Sequence, residues 1–200
     1  MNQDKIKRCG WANIDDMEYQ RYHDEEWGVP QTNDIALFEK LNLEAFQSGL
    51  SWLTILKKRD NFRRAFDGFD PEKVAAYGAR DVKRLMADAG IVRNRLKIDA
   101  TINNAKAFLV LAGKRRFADF IWEVVEHKPV IHRRRSMAEI PAQTEASARL
   151  AKALKGEGFR FVGPTTAYAF MQSVGMVNDH LLTCNRHKPC AALQKAFKFS

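Results

Sequence analysis

Apolar positions recur along this chain at helical spacing. Ile35, Leu37, Phe38, Leu41, Leu43 and Phe46 fit one buried helix face, as do Val82, Leu85 and Met86, and then Ile98, Ile102, Ala105, Phe108 and Leu109. Leu150, Ala153 and Leu154 mark a further helix, and Tyr168, Met171 and Val174 the next. Strand-like alternation is scarce. Breakers separate the segments: Asp70-Pro71, Ala89-Gly90, Gly156-Glu157-Gly158 and Gly163-Pro164. Asp70 reads as an N-cap, with Pro71 at the first helical position and Glu72 behind it. The pattern predicts an all-α protein of about eight short helices. Its least regular stretch, about residues 114–147, is expected to contain a long connection.

A chain of 200 residues supplies one sizeable core, so a single helical domain over residues 1–200 is expected. The hydrophobic fraction of 46% argues against general disorder. No apolar run approaches the ~18 residues that cross a membrane, and the first ten residues are polar, unlike a secretory signal. Lys and Arg number 33 against 24 acidic residues, and the resulting charge of +9 suits a polyanion such as nucleic acid, although solubility alone would also account for it. Three cysteines, Cys9, Cys184 and Cys190, are too few for a disulfide framework. A reducing, cytoplasmic setting is expected, with free, catalytic or metal-bound thiols.

Cys9 and His23 lie near one end of the chain, His180 and Cys184 near the other at H-x3-C spacing. Together they make a Cys2His2 set, the closed tetrahedral ligand count of structural zinc. On a helix, His180 and Cys184 would share a face. His187 and Cys190, spaced in step with Cys184, compete for the same role, and spacing alone leaves the choice open.

Residues 155–180 read KGEGFRFVGPTTAYAFMQSVGMVNDH. A helix ends at Gly156 or Gly158, a turn follows, and Pro164 opens the next helix with Gly163 in front and Thr165 and Thr166 in its first turn. Such a helix start offers backbone N–H groups to a phosphate, although many tight helical links bind nothing. In context the segment resembles the helix-hairpin-helix of the DNA glycosylases related to endonuclease III, with FRFVGPTTA for LPGVGxxTA and Val177-Asn178-Asp179-His180 for VDxH. The upstream stretch AGIVRNRLKIDATINNAKAFL, residues 89–109, resembles that superfamily too. Phe161 stands where the first hairpin glycine belongs, and Asn178 where the superfamily has its catalytic Asp. That loss either removes catalysis or points to a base that leaves easily.

RCGW (8–11), YHDEEWGVP (22–30) and LEAFQSGLSW (43–52) resemble the DNA-3-methyladenine glycosylase I family, and with the hairpin segment the similarity spans residues 8–184. The resemblance implies an all-α helix-hairpin-helix glycosylase fold with the hairpin at about 146–176. It also implies a zinc site at Cys9, His23, His180 and Cys184, rather than at His187 and Cys190, joining segments 9–23 and 180–184. The implied reaction is monofunctional hydrolysis of the N-glycosidic bond of 3-methyladenine in alkylated double-stranded DNA, with free 3-methyladenine as product. The family lacks the Asp at position 178. The chemistry agrees: N3-methyladenine is cationic on the sugar and leaves neutral, so no protonating acid is needed.

Trp11, Tyr19, Tyr22, Trp27 and Trp52 can supply π faces, each cation–π contact contributing roughly 0.5–2 kcal/mol. Glu44 can accept from the base edge, in a recognition or catalytic role, at roughly 1.5–3 kcal/mol for a buried charge-assisted bond. Core packing is the ordinary explanation of any one Trp. The base must leave the stack, and the loop Gln47-Ser48-Gly49-Leu50 is the candidate to fill the gap, with Leu50 as wedge. Gly163 and Thr165 are the candidate phosphate contacts, while the run His132-Arg133-Arg134-Arg135 reads as a solvated loop. A monomer is expected, and no lysine is clearly placed as a Schiff-base nucleophile. Two rivals remain: a non-catalytic zinc-stapled DNA binder, favoured by Asn178, and a glycosylase or lyase acting on another lesion, such as an oxidised pyrimidine.

Overall fold

A computed structural model of the chain describes residues 6–12 and 15–199; the outer bounds of the expected 1–200 domain, and residues 1–5 of its polar start, lie outside them. The helices are α1 (Met17–Arg21), α2 (Asp34–Gln47), α3 (Trp52–Ala65), α4 (Pro71–Ala75), α5 (Ala79–Ala87), α6 (Arg95–Ala112), α7 (Phe117–Trp122), α8 (Glu145–Gly156), α9 (Pro164–Ser173) and α10 (His187–Ala196). Ten α-helices among the described residues exceed the eight expected, because helices as short as α1 and α4, five residues each, show no full hydrophobic period. The fold is also not purely helical. Strands β1 (Val130–Ile131) and β2 (Val177–Asn178) pair in parallel, Val130 with Val177 and Ile131 with Asn178. Two residues are too few to alternate visibly. Residues 114–147, the least regular stretch, hold α7, β1 and the 3-10 turns Glu123–Val125 and Met137–Glu139, joined by irregular segments.

Side chains start several helices as the sequence suggests. Asn33, Ser51, Asp70, Asn94 and Thr144 each accept from a first-turn N–H, and Pro71 opens α4 behind Asp70. The core gathers around α2, whose Leu37, Phe38, Leu41, Leu43 and Phe46 pack with Phe62, Ile98, Phe108 and Phe170. Ile35, Leu109 and Ala153, expected on buried faces, are exposed.

Polar side chains of α6 fix two loops. Asn104 donates to Asn42 Oδ1 at 3.0 Å and accepts from Arg160 N at 2.7 Å, tying α2 to the α8–α9 turn. Lys97 reaches the C-terminal end of α2, donating to the carbonyls of Phe46 and Ser48 at 2.8 and 2.6 Å. The α2–α3 loop is thereby held from below.

After α9 the chain turns at Gly175 (φ +74°) directly on segment 28–30, where a Cβ would lie 2.4 Å from Val29 C and Pro30 N. Gln194 of α10 donates to the carbonyls of both Gly28 and Gly175, at 3.0 and 3.1 Å. The two chain ends are thus seated on each other without room for a methyl group. Gly175→Ala combines left-handed strain with a backbone clash and should lower the unfolding free energy by about 3 kcal/mol or more in denaturant titration. A change below about 1 kcal/mol would contradict this packing.

Candidate active site and metal centre

Cys9 precedes a 3-10 turn, Gly10–Ala12. His23 sits in a π-helical turn, Tyr22–Glu26, that continues α1 and closes with Trp27 N donating to Tyr22 O. His180 and Cys184 follow β2 in a turn, not on a helix, with Cys184 N donating to Leu181 O at 2.8 Å. The expected helical i,i+4 face is therefore replaced by a reverse turn that brings the same two side chains together. All four residues are buried, and their ligand atoms lie within 4.8 Å of one another. Cys9 Sγ is 3.7 Å from His180 Nδ1, and Cys184 Sγ is 3.5 Å from His23 Nε2 and 3.6 Å from His180 Nδ1. An ion bound tetrahedrally at ordinary metal–sulfur and metal–nitrogen lengths spans S···N edges of about 3.6 Å. The group could hold a metal ion.

The outer nitrogens of both imidazoles are also engaged. His23 Nδ1 meets Asp24 Oδ1 at 2.7 Å, and Arg8 clamps that carboxylate. His180 Nε2 meets the Trp27 carbonyl at 3.0 Å. Such partners fix tautomer and ring orientation, leaving Nε2 of His23 and Nδ1 of His180 for the cluster. The hydrogen bond between the two thiols drives their acidities apart, Cys184 down and Cys9 up; a cation between them would stabilise both as thiolates. His187 and Cys190 are committed elsewhere: His187 Nε2 to the His132 carbonyl at 3.0 Å, and the Cys190 thiol to the Gly28 carbonyl at 3.0 Å.

Trp11, Tyr19, Tyr22, Trp27, Glu44 and Trp52 line one cavity of 210 Å³, together with Gln47, Ala169 and Gln172. Its aromatic walls touch one another, Trp11 with Tyr19 and Trp27 at 5.1 Å and Tyr22 with Trp52 at 5.3 Å between centroids. They also rest on the imidazoles of the Cys/His cluster, Trp11 on His23 at 5.1 Å and Trp27 on His180 at 4.6 Å. The buried Trp52 Nε1 has no hydrogen-bond partner among the described residues. Glu44 is buried, and burial raises its pKa against the pull of Lys40 Nζ, 3.6 Å away. Burial likewise pushes Lys40 down, to about 8. Sequence reasoning missed Lys40, Ala169 and Gln172. Lys40 lies one turn before Glu44, so helical spacing from a predicted wall residue was its available signal, whereas α9 carried no predicted wall residue from which Ala169 and Gln172 could be found.

Asn178 does not line the cavity. It accepts from His180 N at 3.1 Å and donates to the His187 carbonyl at 3.3 Å, shaping the turn that presents His180. Asp179 is buried beside it and accepts from His132, Tyr168 and Gln172. Burial opposes its charge, but these bonds hold the carboxyl below the usual range. The basic run is accordingly not a simple solvated loop. His132 and Arg134 turn inward to Asp179, and only Arg133 and Arg135 of the run are exposed.

Gly49 (φ +82°) and the half-exposed Leu50 form the tip of the α2–α3 loop, braced by Gln47 Nε2 donating to Leu50 O at 2.6 Å. Gly163 and Thr165 are exposed at the start of α9, where no side chain caps the N–H groups. Phe161, in the place of the hairpin glycine, has φ +61°, a left-handed backbone that costs a bulky residue roughly 1–2 kcal/mol.

Comparison with known proteins gives this arrangement a class. The chain is 51% identical over 180 residues to the Escherichia coli (strain K12) protein named DNA-3-methyladenine glycosylase 1, covering 90% of this chain and 96% of that one. A crystal structure of 3-methyladenine DNA glycosylase I superposes with a TM-score of 0.87 at 49% identity, over 90% of this chain and 98% of the other. A singly substituted 3-methyladenine DNA glycosylase I, solved in complex with 3-methyladenine, matches with a TM-score of 0.83 at 38% identity, over 86% of this chain and 93% of that one. The chain is therefore an enzyme of the glycosylase class, a hydrolase acting on N-glycosyl bonds. More particularly, the methyladenine glycosylase family model matches residues 11–187, and the chain belongs to that family.

The Asp24 clamp makes a direct test of the cluster. Asp24→Ala should weaken metal retention by about 10–100-fold in a chelator competition; equal retention would mean the carboxylate does not orient His23.

Proposed function

We propose that the protein hydrolyses the N-glycosidic bond of 3-methyladenine in alkylated double-stranded DNA and leaves an abasic site. The observation that carries this is the 210 Å³ cavity, walled by five aromatic rings with one buried carboxylate. It is smaller than the roughly 300–1,000 Å³ of drug-sized sites and suits a single base. A base inside a duplex cannot reach it, so the nucleotide flips out. Leu50, on its braced loop, fills the vacated stack, with Gln47 and Gly49 beside it. The uncapped start of α9, around Gly163 and Thr165, takes a backbone phosphate as the second half of a helix-hairpin-helix formed by residues 146–176.

The π faces of Trp11, Tyr19, Tyr22, Trp27 and Trp52 favour the cationic form of the base. Glu44 accepts from its exocyclic amine and stabilises positive charge as the glycosidic bond lengthens. Water attacks the sugar. The base departs neutral, which agrees with Asn178 being spent on the His180 turn. We assign the Cys2His2 group to one structural zinc ion, held by Cys9, His23, His180 and Cys184. It supplies a rigid seat for the pocket's aromatic walls and takes no part in bond cleavage. The working unit is a single domain over residues 1–200, acting as a cytoplasmic monomer.

Methylated duplex DNA incubated with the protein should release 3-methyladenine and little 7-methylguanine by chromatography. Equal release of both would contradict the assignment. Glu44→Gln should slow release by about 10–100-fold, matching a charge-assisted bond of roughly 1.5–3 kcal/mol. Borohydride should trap no protein–DNA adduct; a trapped adduct would establish a lyase instead. Elemental analysis should find one zinc per chain. Cys9→Ser and His180→Ala should lower thermal stability far more than the rate of the chemical step in protein that remains folded.

A further inference from the structure

Lys40 is a partly buried cation packed behind the wall of a site built for a cationic base. Its Nζ donates to the Tyr22 hydroxyl at 2.7 Å and lies 3.6 Å from Glu44 Oε1. It also stands 3.7 Å from the Trp52 ring centroid and 4.5 Å from that of Tyr22. One ammonium thus touches three residues of the 210 Å³ cavity while itself lining a second cavity of 290 Å³ behind them. The charged groups around it are accounted for. From the π-helical turn, Glu26 is paired with Arg59 of α3, and Glu25 is exposed. From α2 itself, Glu39 is paired with Arg63. From α9, Ser173 is neutral. Glu44 is buried and has no arginine partner among the described residues, so Lys40 is its counter-ion.

We propose that Lys40 is a specificity-determining positioning residue, whose ammonium keeps Glu44 an ionised acceptor and turns Tyr22 into a donor, so that the pocket selects the adenine edge over the guanine edge. This rests on the base-excision activity proposed above. The logic is in the donor pattern. Because Lys40 donates to the Tyr22 oxygen, the phenolic proton is directed elsewhere. Because Lys40 is charged, Glu44 keeps its negative charge despite burial. Adenine presents an amine donor at N6 and an acceptor at N7, which match an acceptor and a donor. Guanine presents acceptors at both O6 and N7, and its O6 would face the carboxylate unpaired. A site that hydrogen-bonds one edge rejects its mismatch far more strongly than shape alone does. Without the ammonium, burial has no opposing charge at Glu44. The carboxyl then takes up a proton at higher pH and donates it in a hydrogen bond to O6.

The test is release of 3-methyladenine and 3-methylguanine from methylated duplex DNA by wild type, Lys40→Met, Lys40→Gln and Lys40→Arg, each checked for folding by thermal melting. In Lys40→Met the ratio of 3-methyladenine to 3-methylguanine release should fall at least about tenfold, and the acid limb of the rate profile should move up by about one pH unit or more. Lys40→Gln, which keeps an N–H for Tyr22 and loses only the charge, should show the same pH shift, and it decides the matter if the methionine variant does not fold. Lys40→Arg should keep the wild-type ratio. A folded Lys40→Met or Lys40→Gln with the wild-type ratio and pH profile, or with both bases slowed equally, overturns the proposal. Failure of the wild type to release any methylated base would instead sink the proposed function itself.

Discussion

Four buried side chains from opposite ends of the chain meet within 4.8 Å, and the rest of the site depends on that meeting. Two thiols and two imidazoles in a nonpolar interior are costly to leave unpaired, so the fold must supply a partner for each. It does so in layers. Each imidazole turns its inner nitrogen to the cluster and its outer nitrogen to a fixed oxygen, of Asp24 or of the Trp27 carbonyl. Trp11 and Trp27 then pack on the imidazoles, and Tyr19 on Trp11. The aromatic cavity is thus the outer face of the Cys/His cluster.

The other half of the cavity comes from the core. Helix α2 is buried on most of its circumference, which is why a lysine and a glutamate one turn apart, Lys40 and Glu44, are forced to pair in its middle. The same helix ends at the Leu50 loop, pinned by Lys97 from α6. Asn104, two turns further along α6, holds the α8–α9 turn. One rigid helix therefore sets the spacing between the candidate wedge and the candidate phosphate seat.

Local chemistry was the readily legible part of the sequence. Asp70-Pro71 and Gly163-Pro164 announce helix starts through their own side chains and fixed φ, and both stand where expected. The Cys and His residues and the aromatics were visible as types, and long motifs placed them in one family. What stayed hidden depends on contacts between distant segments. The strand pair is two residues long, and its partners lie 47 positions apart in the register Val130 to Val177. His132 and Arg134 look solvated in a run of basic residues, yet Asp179 draws them inward. Lys40 looks like a surface lysine at one helix position and is largely covered because Tyr22 and Trp52 close over it.

In the proposed function, a zinc ion at the Cys/His cluster organises the base pocket while the helical core stands without it. Calorimetric binding of free 3-methyladenine, measured before and after removal of the metal by a chelator with helical content followed by circular dichroism, tests this most directly. The account predicts that stripped protein keeps most of its helical signal, loses at least about tenfold in affinity, and regains it when zinc is returned. Unchanged affinity in protein shown to be free of metal would contradict it.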